Sequence, residues 1–471
     1  MLLIELTDPG TFRPVSDGLA ARDPLGFPGY GDALEAAAAK SGLDEAVVCG
    51  PAAIGGYEVE LALFSFAFMG GSMGEVVGER LARALERATD RRVPFVLATA
   101  TGGARMQEGM RALVQMPKLV SARRALAQAR VPYIAVLGNP TTGGVLASLG
   151  ALADVTIAEA GATIGFAGPR VARAATGRPL SARSHSAESA YDHGLVDALA
   201  PRDELAGTIA RALDVLAPDD PEPVTADPPS IKGSPPDAWA AISAARRPQR
   251  ARAPELARAM CSPSFELRGD RVGSADPALY AALGRVLGRR CLVLALDREH
   301  APGPGAYRSA RRVLAIATRL ELPVVTLIDT RGADPGEDSE AGGIAWEIAA
   351  TFEALLSAPV PVVAVVTGEG GSGGALALAC GDLLYAYQGA VFSVIAPELA
   401  AEILWRDVRR ADEAARLLKP SAPDLAALGI ADGLLPEPPE PHLLARVVAG
   451  ALDRLAGRSF PADRLARWRS V

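Results

Sequence analysis

The sequence has few residues of the kinds that build metal centres and disulfide frameworks. Its 471 residues include four cysteines and four histidines. The cysteines are Cys49, Cys261, Cys291 and Cys380, and the histidines are His185, His193, His300 and His442. Because the cysteines lie far apart without CxxC spacing, they predict neither a disulfide framework nor a zinc ribbon. With the histidines equally scattered, we expect no metal site, no Cys–His nucleophile pair and four reduced, mostly buried thiols.

Long apolar runs and an excess of basic residues are also missing. No run reaches the roughly 18 apolar residues that a membrane span needs, and the opening "MLLIELTDPG" lacks the basic and apolar regions of a signal peptide. The formal net charge is -7 and the isoelectric point is near 5.4, whereas nucleic-acid and anionic-membrane binding favour surplus Lys and Arg. We therefore expect a cytoplasmic protein that binds small molecules and other proteins.

The chain does have enough apolar sequence for two cores. Hydrophobic residues make up 49%, while 48 Gly and 37 Pro mark many turns. Because single cores stop growing at about 250 to 300 residues, the length predicts two domains. The Pro-rich residues 217–250, which end in a basic patch, predict a semi-rigid linker between an N-terminal domain (residues 1–216) and a C-terminal domain (residues 251–471).

The two halves share one pattern. In each, short β-branched runs alternate with Ala-, Leu- and Arg-rich stretches, which predicts an α/β domain with a parallel sheet. Pro94 and Pro132 open two such runs, and Pro323 and Pro361 open two more at the same spacing. The glycine turns that follow are also equally spaced, since Gly103 to Gly144 and Gly332 to Gly373 are the same interval. We infer an internal duplication whose offset is the interval from Pro94 to Pro323.

Each of these four runs ends in a turn that contains one or more glycines. The segments are "TATGGARMQEG" from residue 99, "TTGG" from 141, "DTRGAD" from 329 and "GSGG" from 371. At a helix start the N–H groups are unpaired, and glycine allows positive φ and close approach of a ligand. Two such turns side by side would give two N–H donors to one oxygen, which is an oxyanion hole. The alternatives are tight turns or packing contacts, and a phosphate loop, for which GxGxxG and GxxxxGK[ST] are both missing after these strands.

Ionisable side chains near the turns form no recognised catalytic set. They are Arg105, Glu108, Asp329, Asp334 and Glu369. They supply no carboxylate pair, Ser-His-Asp order or metal cluster. Ser372 lies in "GGSGG", which fits the GxSxG pattern of hydrolases, but the only later histidine, His442, lies in a Pro-rich tail. Backbone amides are therefore the predicted catalytic groups.

Longer motifs resemble the carboxyltransferase of bacterial acetyl-CoA carboxylase. "PLGFPGYGDALEAAAAKSGLDEAVVCG", "FSFAFMGGSMGEVVGERLARALERA", "TGGARMQEG" and "IGFAGPRV" resemble its β subunit. "FELRGDRVGSADPALYAALG", "APGPGAYRSARRVL", "IDTRGADPG" and "GEGGSGGALALACGD" resemble its α subunit. The resemblance covers about residues 5–200 and 235–440, so the chain is similar to a fusion of the β and α subunits.

This resemblance implies a fold and a reaction. The fold is two duplicated crotonase-type domains, each a ββα spiral, with active sites between an N-type and a C-type half, often of different protomers. The reaction moves a carboxyl group from carboxybiotin, carried on a separate protein, to acetyl-CoA, giving malonyl-CoA for fatty acid biosynthesis. It also implies biotin N1 as the base, biotin carboxylase and the carrier protein as separate chains, and a homodimer or larger homo-oligomer.

Carried onto this sequence, the resemblance implies two sets of oxyanion-binding residues. The set for the thioester enolate oxygen is Gly103, Ala104, Gly143 and Gly144, and the set for the ureido oxygen of biotin is Gly332, Ala333, Gly373 and Gly374. Both oxygens gain negative charge in the transition state, where fixed N–H donors stabilise it. Expected substrate-binding neighbours are Arg105, Gly70, Gly71, Gly102, Gly370 and Gly371. For Arg105, an ion pair with Glu108 at i+3 is the alternative.

The chain departs from the family pattern in three respects. Cys49 is the only cysteine upstream of the β-like motifs, so the β subunit's four-cysteine zinc ribbon is absent and no metal is predicted. Where the α subunit usually reads "DTPGAYPG", this chain has "DTRGADPG", with Arg331 and Asp334. The following stretch, "EDSEAGGIAWEI", is also divergent. The four lysines of the chain, including Lys118 in "QMPKLV", lack the Met-Lys-Met setting of a biotinylation site.

Two other functions are compatible with the same fold. One is an acyl decarboxylase of the malonate decarboxylase type, which uses an acyl carrier protein and no biotin, although "FMGGSMGEVVGE" favours the carboxylase. The other is a non-catalytic paralogue, for which Arg331 and Asp334 are the motive. The predicted function is carboxyl transfer to acetyl-CoA or a related acyl-CoA.

Overall fold

The structure, a computed structural model, describes residues 4–218, 221–226 and 237–470. The chain divides into two units after Ala217. Of the expected linker, residues 217–250, positions 219, 220 and 227–236 lie outside the described residues.

The N-terminal unit is built on a mainly parallel sheet. Its strands are β1 (Val47–Ile54), β2 (Tyr57–Phe64), β3 (Phe95–Thr101), β4 (Tyr133–Thr142), β5 (Val155–Glu159), β6 (Ile164–Gly165) and β7 (Ala198–Ala200). Its helices are α1 (Tyr30–Ser41), α2 (Glu75–Arg91), α3 (Met110–Leu113), α4 (Gln115–Gln128), α5 (Gly143–Leu146), α6 (Pro169–Thr176), α7 (Ala187–Asp192) and α8 (Leu205–Leu216). The strand order is β1-β2-β3-β4-β5-β7, and β6 pairs with the end of β4. β1 and β2 are antiparallel, and the other strand pairs of this sheet are parallel.

The C-terminal unit repeats this plan. Its strands are β8 (Ser264–Glu266), β9 (Leu279–Val286), β10 (Arg289–Leu296), β11 (Val324–Thr330), β12 (Val362–Gly371), β13 (Leu383–Tyr387), β14 (Val391–Ser393) and β15 (Gly433–Leu435). Its helices are α9 (Ala238–Ala245), α10 (Ala253–Met260), α11 (Pro304–Leu320), α12 (Glu337–Ala341), α13 (Ile344–Ser357), α14 (Ser372–Ala379), α15 (Pro397–Trp405), α16 (Ala411–Leu418), α17 (Ala422–Ala427), α18 (Pro441–Leu455) and α19 (Ala462–Ser470). The strand order is β15-β13-β12-β11-β10-β9-β8, and β14 pairs with the end of β12.

Corresponding elements of the two units begin at the predicted offset. The starts of α2 and α11, of β3 and β11, of β4 and β12, and of α5 and α14 are separated by the interval from Pro94 to Pro323. The central strands are buried almost throughout, as expected for parallel strands covered by helices on both faces. The fold is thus α/β and duplicated, as the sequence predicted.

One irregularity in each sheet positions the glycine turns. In the N-terminal unit Thr99 pairs with Leu137 but Thr101 pairs with Thr141, so β4 has two extra residues against β3. In the C-terminal unit the same shift occurs where β12 leaves its regular register with β11. The bulge turns the end of β4 towards β6, and the end of β12 towards β14. Each long strand therefore ends at a turn outside the main sheet.

Residues 237–250 contain a helix that the sequence did not indicate. The Asp237 side chain caps α9 by accepting the Trp239 N–H at 3.0 Å. Along the helix Ala238, Ala241, Ile242 and Ala245 are buried against Val391 and Ala415. This part of the Pro-rich segment packs on the C-terminal unit because its alanines and isoleucine fall on one helical face.

The described residues carry no structural sign of a metal site or a membrane span. All four cysteines are buried and form no disulfide. No cluster of three or more His, Cys, Asp or Glu side chains is arranged for a metal within residues 4–218, 221–226 and 237–470. No helix in those ranges combines the length and the apolarity needed to cross a bilayer.

Candidate active site

The two glycine turns of the N-terminal unit touch each other. Gly103 follows β3 with φ +109°, and Gly143 begins α5 with φ +66°. A side-chain carbon on Gly103 would lie 3.1 Å from the Gly143 Cα, and one on Gly143 would lie 2.8 Å from the Gly103 Cα. Neither position admits a larger residue, because positive φ and backbone contact occur together. We call Gly103, Ala104, Gly143 and Gly144 the N-terminal glycine site.

Two of its four N–H groups already have partners. The Gly103 N–H donates to Thr101 Oγ1 at 3.0 Å, and the Gly143 N–H donates to the Phe166 carbonyl at 2.9 Å. Ala104 and Gly144 donate to no acceptor within residues 4–218. The free donors of this site are therefore the Ala104 and Gly144 amides, and the glycines before them shape the turns.

The C-terminal unit repeats this construction at the duplicated positions. Gly332, with φ +129°, follows β11 and donates its N–H to Thr330 Oγ1 at 3.3 Å. Ser372, with φ +61°, stands where the N-terminal unit has Gly143. The N–H groups of Ala333 and Gly373 have no acceptor among residues 237–470. We call Gly332, Ala333, Gly373 and Gly374 the C-terminal glycine site.

Three of the other glycines that the resemblance suggested for substrate binding, Gly71, Gly370 and Gly371, are tightly packed. A side-chain carbon on Gly71 would lie 1.9 Å from the Ala100 carbonyl oxygen, and one on Gly371 would lie 1.9 Å from that of Arg331. On Gly370 it would enter the Phe392 ring. The Gly70 carbonyl accepts the exposed Gly102 N–H at 2.9 Å. Gly71 and Gly371 therefore allow close backbone crossings, and substrate binding by these five glycines stays a prediction.

Arg105 is buried, with no exposed surface. Its guanidinium donates to Glu45 Oε2 at 2.9 Å and Oε1 at 2.5 Å, and to the Ser72 carbonyl at 2.7 Å. It also reaches Tyr30 Oη at 3.3 Å and Glu108 Oε1 at 3.4 Å. Burial alone would lower the pKa of Arg105, but the bonds to Glu45 raise it above its usual value. This geometry favours the ion-pair alternative over direct contact with substrate.

The contacts of Arg105 help to orient the free N–H group of the neighbouring residue, Ala104. The Met73 N–H donates to the Gly103 carbonyl at 2.8 Å, and the Arg105 N–H returns a bond to the Met73 carbonyl at 2.9 Å. Ala104 lies between these two bonds. Because the guanidinium also holds Ser72, the residue before Met73, the ion pair with Glu45 stabilises the strip that orients the Ala104 N–H.

Arg331 and Asp334, the two residues of the C-terminal turn that depart from the family pattern, differ in exposure. Asp334 accepts the Gly336 N–H at 3.1 Å and the Ser339 hydroxyl at 2.5 Å, so its carboxylate is bound locally at the start of α12. The Arg331 side chain is 69% exposed and lies 3.8 Å from Glu369. Glu369 is already paired with Arg246 at 2.6 Å. Asp334 therefore shapes the turn, and Arg331 adds an exposed cation beside it.

Ser372 lacks the surroundings of a hydrolase nucleophile. Its hydroxyl makes no hydrogen bond to any side chain in the part of the chain that the structure describes. His442 is exposed near the start of α18. A nucleophilic serine needs an adjacent base within hydrogen-bond reach, so this geometry also argues against a hydrolase.

Asp329 lies at the end of β11, beside the C-terminal glycine site. The carboxylate is fully buried, accepts the Glu369 N–H at 3.1 Å and pairs with Arg298 at 3.1 Å. Burial raises the pKa of Asp329 to about 6, although the Glu369 N–H and the Arg298 charge oppose the shift. The bulge that positions β12 thus contains a carboxyl group that titrates near pH 6.

Asp329 should give the protein a distinctive pH dependence of stability. The pKa of Asp329 is higher in the folded than in the unfolded state. Protonation of Asp329 therefore stabilises the folded state as pH falls through 6, and this stabilisation is lost as pH rises above 6. When pH is lowered from 7 to 5, the free energy of unfolding of the wild type should rise by about 1 kcal/mol relative to that of Asp329→Asn, since one pKa unit corresponds to about 1.4 kcal/mol. Urea unfolding of both proteins at several pH values measures this difference, and a flat difference would contradict the raised pKa.

Sequence reasoning missed the side chains that brace these turns. Glu45 is the buried partner of Arg105 but lies 60 residues earlier, and no local pattern links the two. Arg246 pairs with Glu369 from 123 residues away. Buried acidic residues in otherwise apolar runs, such as Glu45 before "AVVCG", were the available signal.

Comparison with known proteins defines the class. A transcarboxylase 12S crystal structure with hydrolysed methylmalonyl-CoA bound matches with a TM-score of 0.79 and 26% identity, over 97% of this chain and 89% of that one. A single-chain, multi-domain long-chain acyl-CoA carboxylase matches with a TM-score of 0.75 and 20% identity, over 96% of this chain and 45% of that one, and so supports the fold alone. The architecture is the crotonase-type fold of carboxyltransferases, as predicted.

Sequence relatives define the family. A family model described as acetyl co-enzyme A carboxylase carboxyltransferase-like matches residues 236–448. A Salinispora arenicola protein named acetyl-coenzyme A carboxylase carboxyl transferase subunits beta/alpha is 43% identical over 461 residues, 93% of this chain and 81% of that protein. A Mycobacterium bovis protein named probable biotin-dependent acyl-coenzyme A carboxylase beta3 subunit is 38% identical, over 95% of this chain and 94% of its own. The chain belongs to the acetyl-CoA carboxylase carboxyltransferase family, in the fused β/α form, and the decarboxylase alternative is not favoured.

Proposed function

We propose that this chain transfers a carboxyl group from biotin, carried on a separate protein, to the α-carbon of acetyl-CoA. The observation that carries the proposal is the pair of matched backbone sites. Each unit places two N–H groups that have no acceptor among the described residues, Ala104 with Gly144 and Ala333 with Gly373, at touching turns after successive parallel strands. Carboxyl transfer between two carbonyl compounds needs two oxygens stabilised as charge develops, one in each reactant.

The N-terminal glycine site is proposed to bind the thioester oxygen of acetyl-CoA. Removal of an α-proton shifts charge to that oxygen, and the Ala104 and Gly144 N–H groups would donate to it. Gly103 and Gly143 hold these donors without offering their own N–H groups. Because the donors are held by the backbone before the reaction, they stabilise the charge without reorganising.

The C-terminal glycine site is proposed to hold the ureido oxygen of biotin. The donor set fits this group, because the Ala333 and Gly373 amides are two unused donors at one turn and an oxygen acceptor is what they lack. Biotin, when bound, supplies the carboxyl group and, at N1, the base for the α-proton. Arg105 and Glu108, the ionisable side chains next to the N-terminal turn, are buried and engaged in their own network, which agrees with a base supplied from outside the chain.

The substrate and the partners are proposed from the relatives. Acetyl-CoA follows the name of the Salinispora arenicola protein, whereas the Mycobacterium bovis protein is named only for an acyl-CoA. Biotin carboxylase and a biotin carrier are proposed as separate chains. Hexamer assembly is stated for transcarboxylase 12S, and we propose a homo-oligomer that works in the cytoplasm.

Reconstitution tests the proposed function. With biotin carboxylase, biotinylated carrier, ATP and bicarbonate, the chain should form malonyl-CoA from acetyl-CoA, with smaller kcat/KM for propionyl-CoA and butyryl-CoA. Mixtures without the carrier are the control and should form none. Product formation from the longer acyl-CoA alone would overturn the acetyl-CoA assignment, and no carboxylation of any acyl-CoA would overturn the proposed function.

A further inference from the structure

Tyr307 lies directly behind the C-terminal glycine site. It belongs to the first turns of α11 and has no exposed surface. Its ring packs with Ile344 and Ala377, and Ala333 lies against the same cluster. The side chain therefore reaches from the helix layer to the turn that holds one of the free amides.

The Tyr307 hydroxyl has no hydrogen-bond partner among the described residues. A side-chain carbon on Gly374 would lie 2.7 Å from this hydroxyl and 2.8 Å from the Ala333 nitrogen. The distance between the Tyr307 hydroxyl oxygen and the Ala333 nitrogen is therefore no greater than the sum of these two distances. One oxygen between them can accept from both at ordinary hydrogen-bond length, since each bond spans about 2.7 to 3.0 Å.

A buried hydroxyl without a partner destabilises the folded chain, because it has lost its bonds to water. Phenylalanine would fill the same space without that cost. Desolvation also raises the pKa of Tyr307, so the phenol keeps its proton and remains a donor at working pH. Tyr307 O–H and Ala333 N–H are thus two neighbouring donors that lack an acceptor among the described residues.

The N-terminal unit has no tyrosine at the corresponding position. The offset of the duplication relates Tyr307 to Gly78 on α2, where an added side-chain carbon would lie 2.2 Å from Gln115 Oε1. The Tyr307 phenol fills this space in the C-terminal unit, whereas Gln115 of α4 fills the corresponding space in the N-terminal unit. The hydroxyl is therefore specific to the C-terminal unit and is not required by the shared fold.

We propose that the Tyr307 hydroxyl is a third donor of the C-terminal glycine site, joining the Ala333 and Gly373 N–H groups on the oxygen that this site binds. The inference rests on the proposed function of that site and adds a side chain to a set so far made of backbone. It also explains Gly374, because any side chain there would separate the hydroxyl from the Ala333 amide.

Tyr307→Phe tests this role. Transfer of the carboxyl group from malonyl-CoA to free biotin is measured, with both substrates varied. We expect kcat to fall about 100-fold, at the lower end of the range seen when one oxyanion donor is removed. KM for malonyl-CoA should stay unchanged, because the N-terminal glycine site is intact. Tm should stay the same or rise, because an unpartnered buried hydroxyl has been removed.

Tyr133→Phe is the matched control. Tyr133 is also fully buried, but its hydroxyl donates to the Leu149 carbonyl at 3.0 Å, so this variant should lose stability and keep its kcat. A Tyr307→Phe protein with wild-type kcat, or with a fall in Tm like that of Tyr133→Phe, would overturn this inference and leave the proposed function standing. A wild type that transfers nothing to biotin would overturn both.

Discussion

Replacing Gly144 by proline should lower carboxyl transfer at least about 100-fold, the loss that accompanies removal of one oxyanion donor. Proline has no N–H, so the substitution deletes one of the two free donors of the N-terminal glycine site. Gly144 is the second residue of α5, and the first turn of a helix tolerates proline because its N–H groups have no intrahelical partner. The measurement is kcat for malonyl-CoA formation with the reconstituted partners, together with Tm.

Gly144→Ala is the control that keeps the N–H. The added carbon would lie 3.0 Å from Met116 Sδ, the flexible end of a long side chain that can move aside, and 3.9 Å from Ala104 Cβ. We expect this variant to retain activity within about 10-fold of wild type, because only packing has changed. If the folded proline variant kept near-normal turnover, the Gly144 amide could not be a donor to the enolate oxygen.

Arg105→Met should produce the largest loss of stability. It leaves Glu45 buried without its cation, and breaking a buried pair in this way costs about 3 to 5 kcal/mol. kcat should fall as well, because Ser72 and the strip that orients the Ala104 amide lose their anchor. Urea unfolding and steady-state kinetics measure the two effects. Arg202→Met is the control, since the exposed Arg202–Glu5 pair should contribute less than about 1 kcal/mol.

A double variant separates the structural from the positioning role of Arg105. Replacing both partners, as Arg105→Met with Glu45→Leu, removes the unpaired charge, and buried pairs replaced by apolar residues often recover stability. We expect stability to return towards wild type while kcat stays low, because the bonds to Ser72 are still missing. Recovery of kcat along with stability would mean that Arg105 acts on the fold alone.

Part of the site could be predicted from residue patterns because its determinants are local. β3, β4, β11 and β12 follow from apolar β-branched runs, and positive φ at Gly103 and Gly143 follows from glycine being the residue that adopts it readily. The equal spacing of the turns in the two halves follows directly from the residue numbers of their glycines. The fusion of β-like and α-like halves followed from long motifs.

Which amides remain free could not be predicted in this way. The Gly143 N–H is used by the carbonyl of Phe166, and the Gly103 N–H by a threonine hydroxyl two residues earlier. The contact with Phe166 depends on the path of the backbone after the β4 bulge. In the N-terminal unit the predicted set of four residues is thereby reduced, as a proposal, to two donors.

By itself the sequence determined an acidic, duplicated α/β chain with two glycine-rich turns in each half, because composition, hydrophobic period and glycine spacing act over short distances. The tertiary structure alone decided the burial of Arg105 against Glu45 and the position of Tyr307 behind Gly374. Each depends on residues from separate segments meeting in a solvent-free interior, where a charge must find a partner and an unpaired hydroxyl stands out.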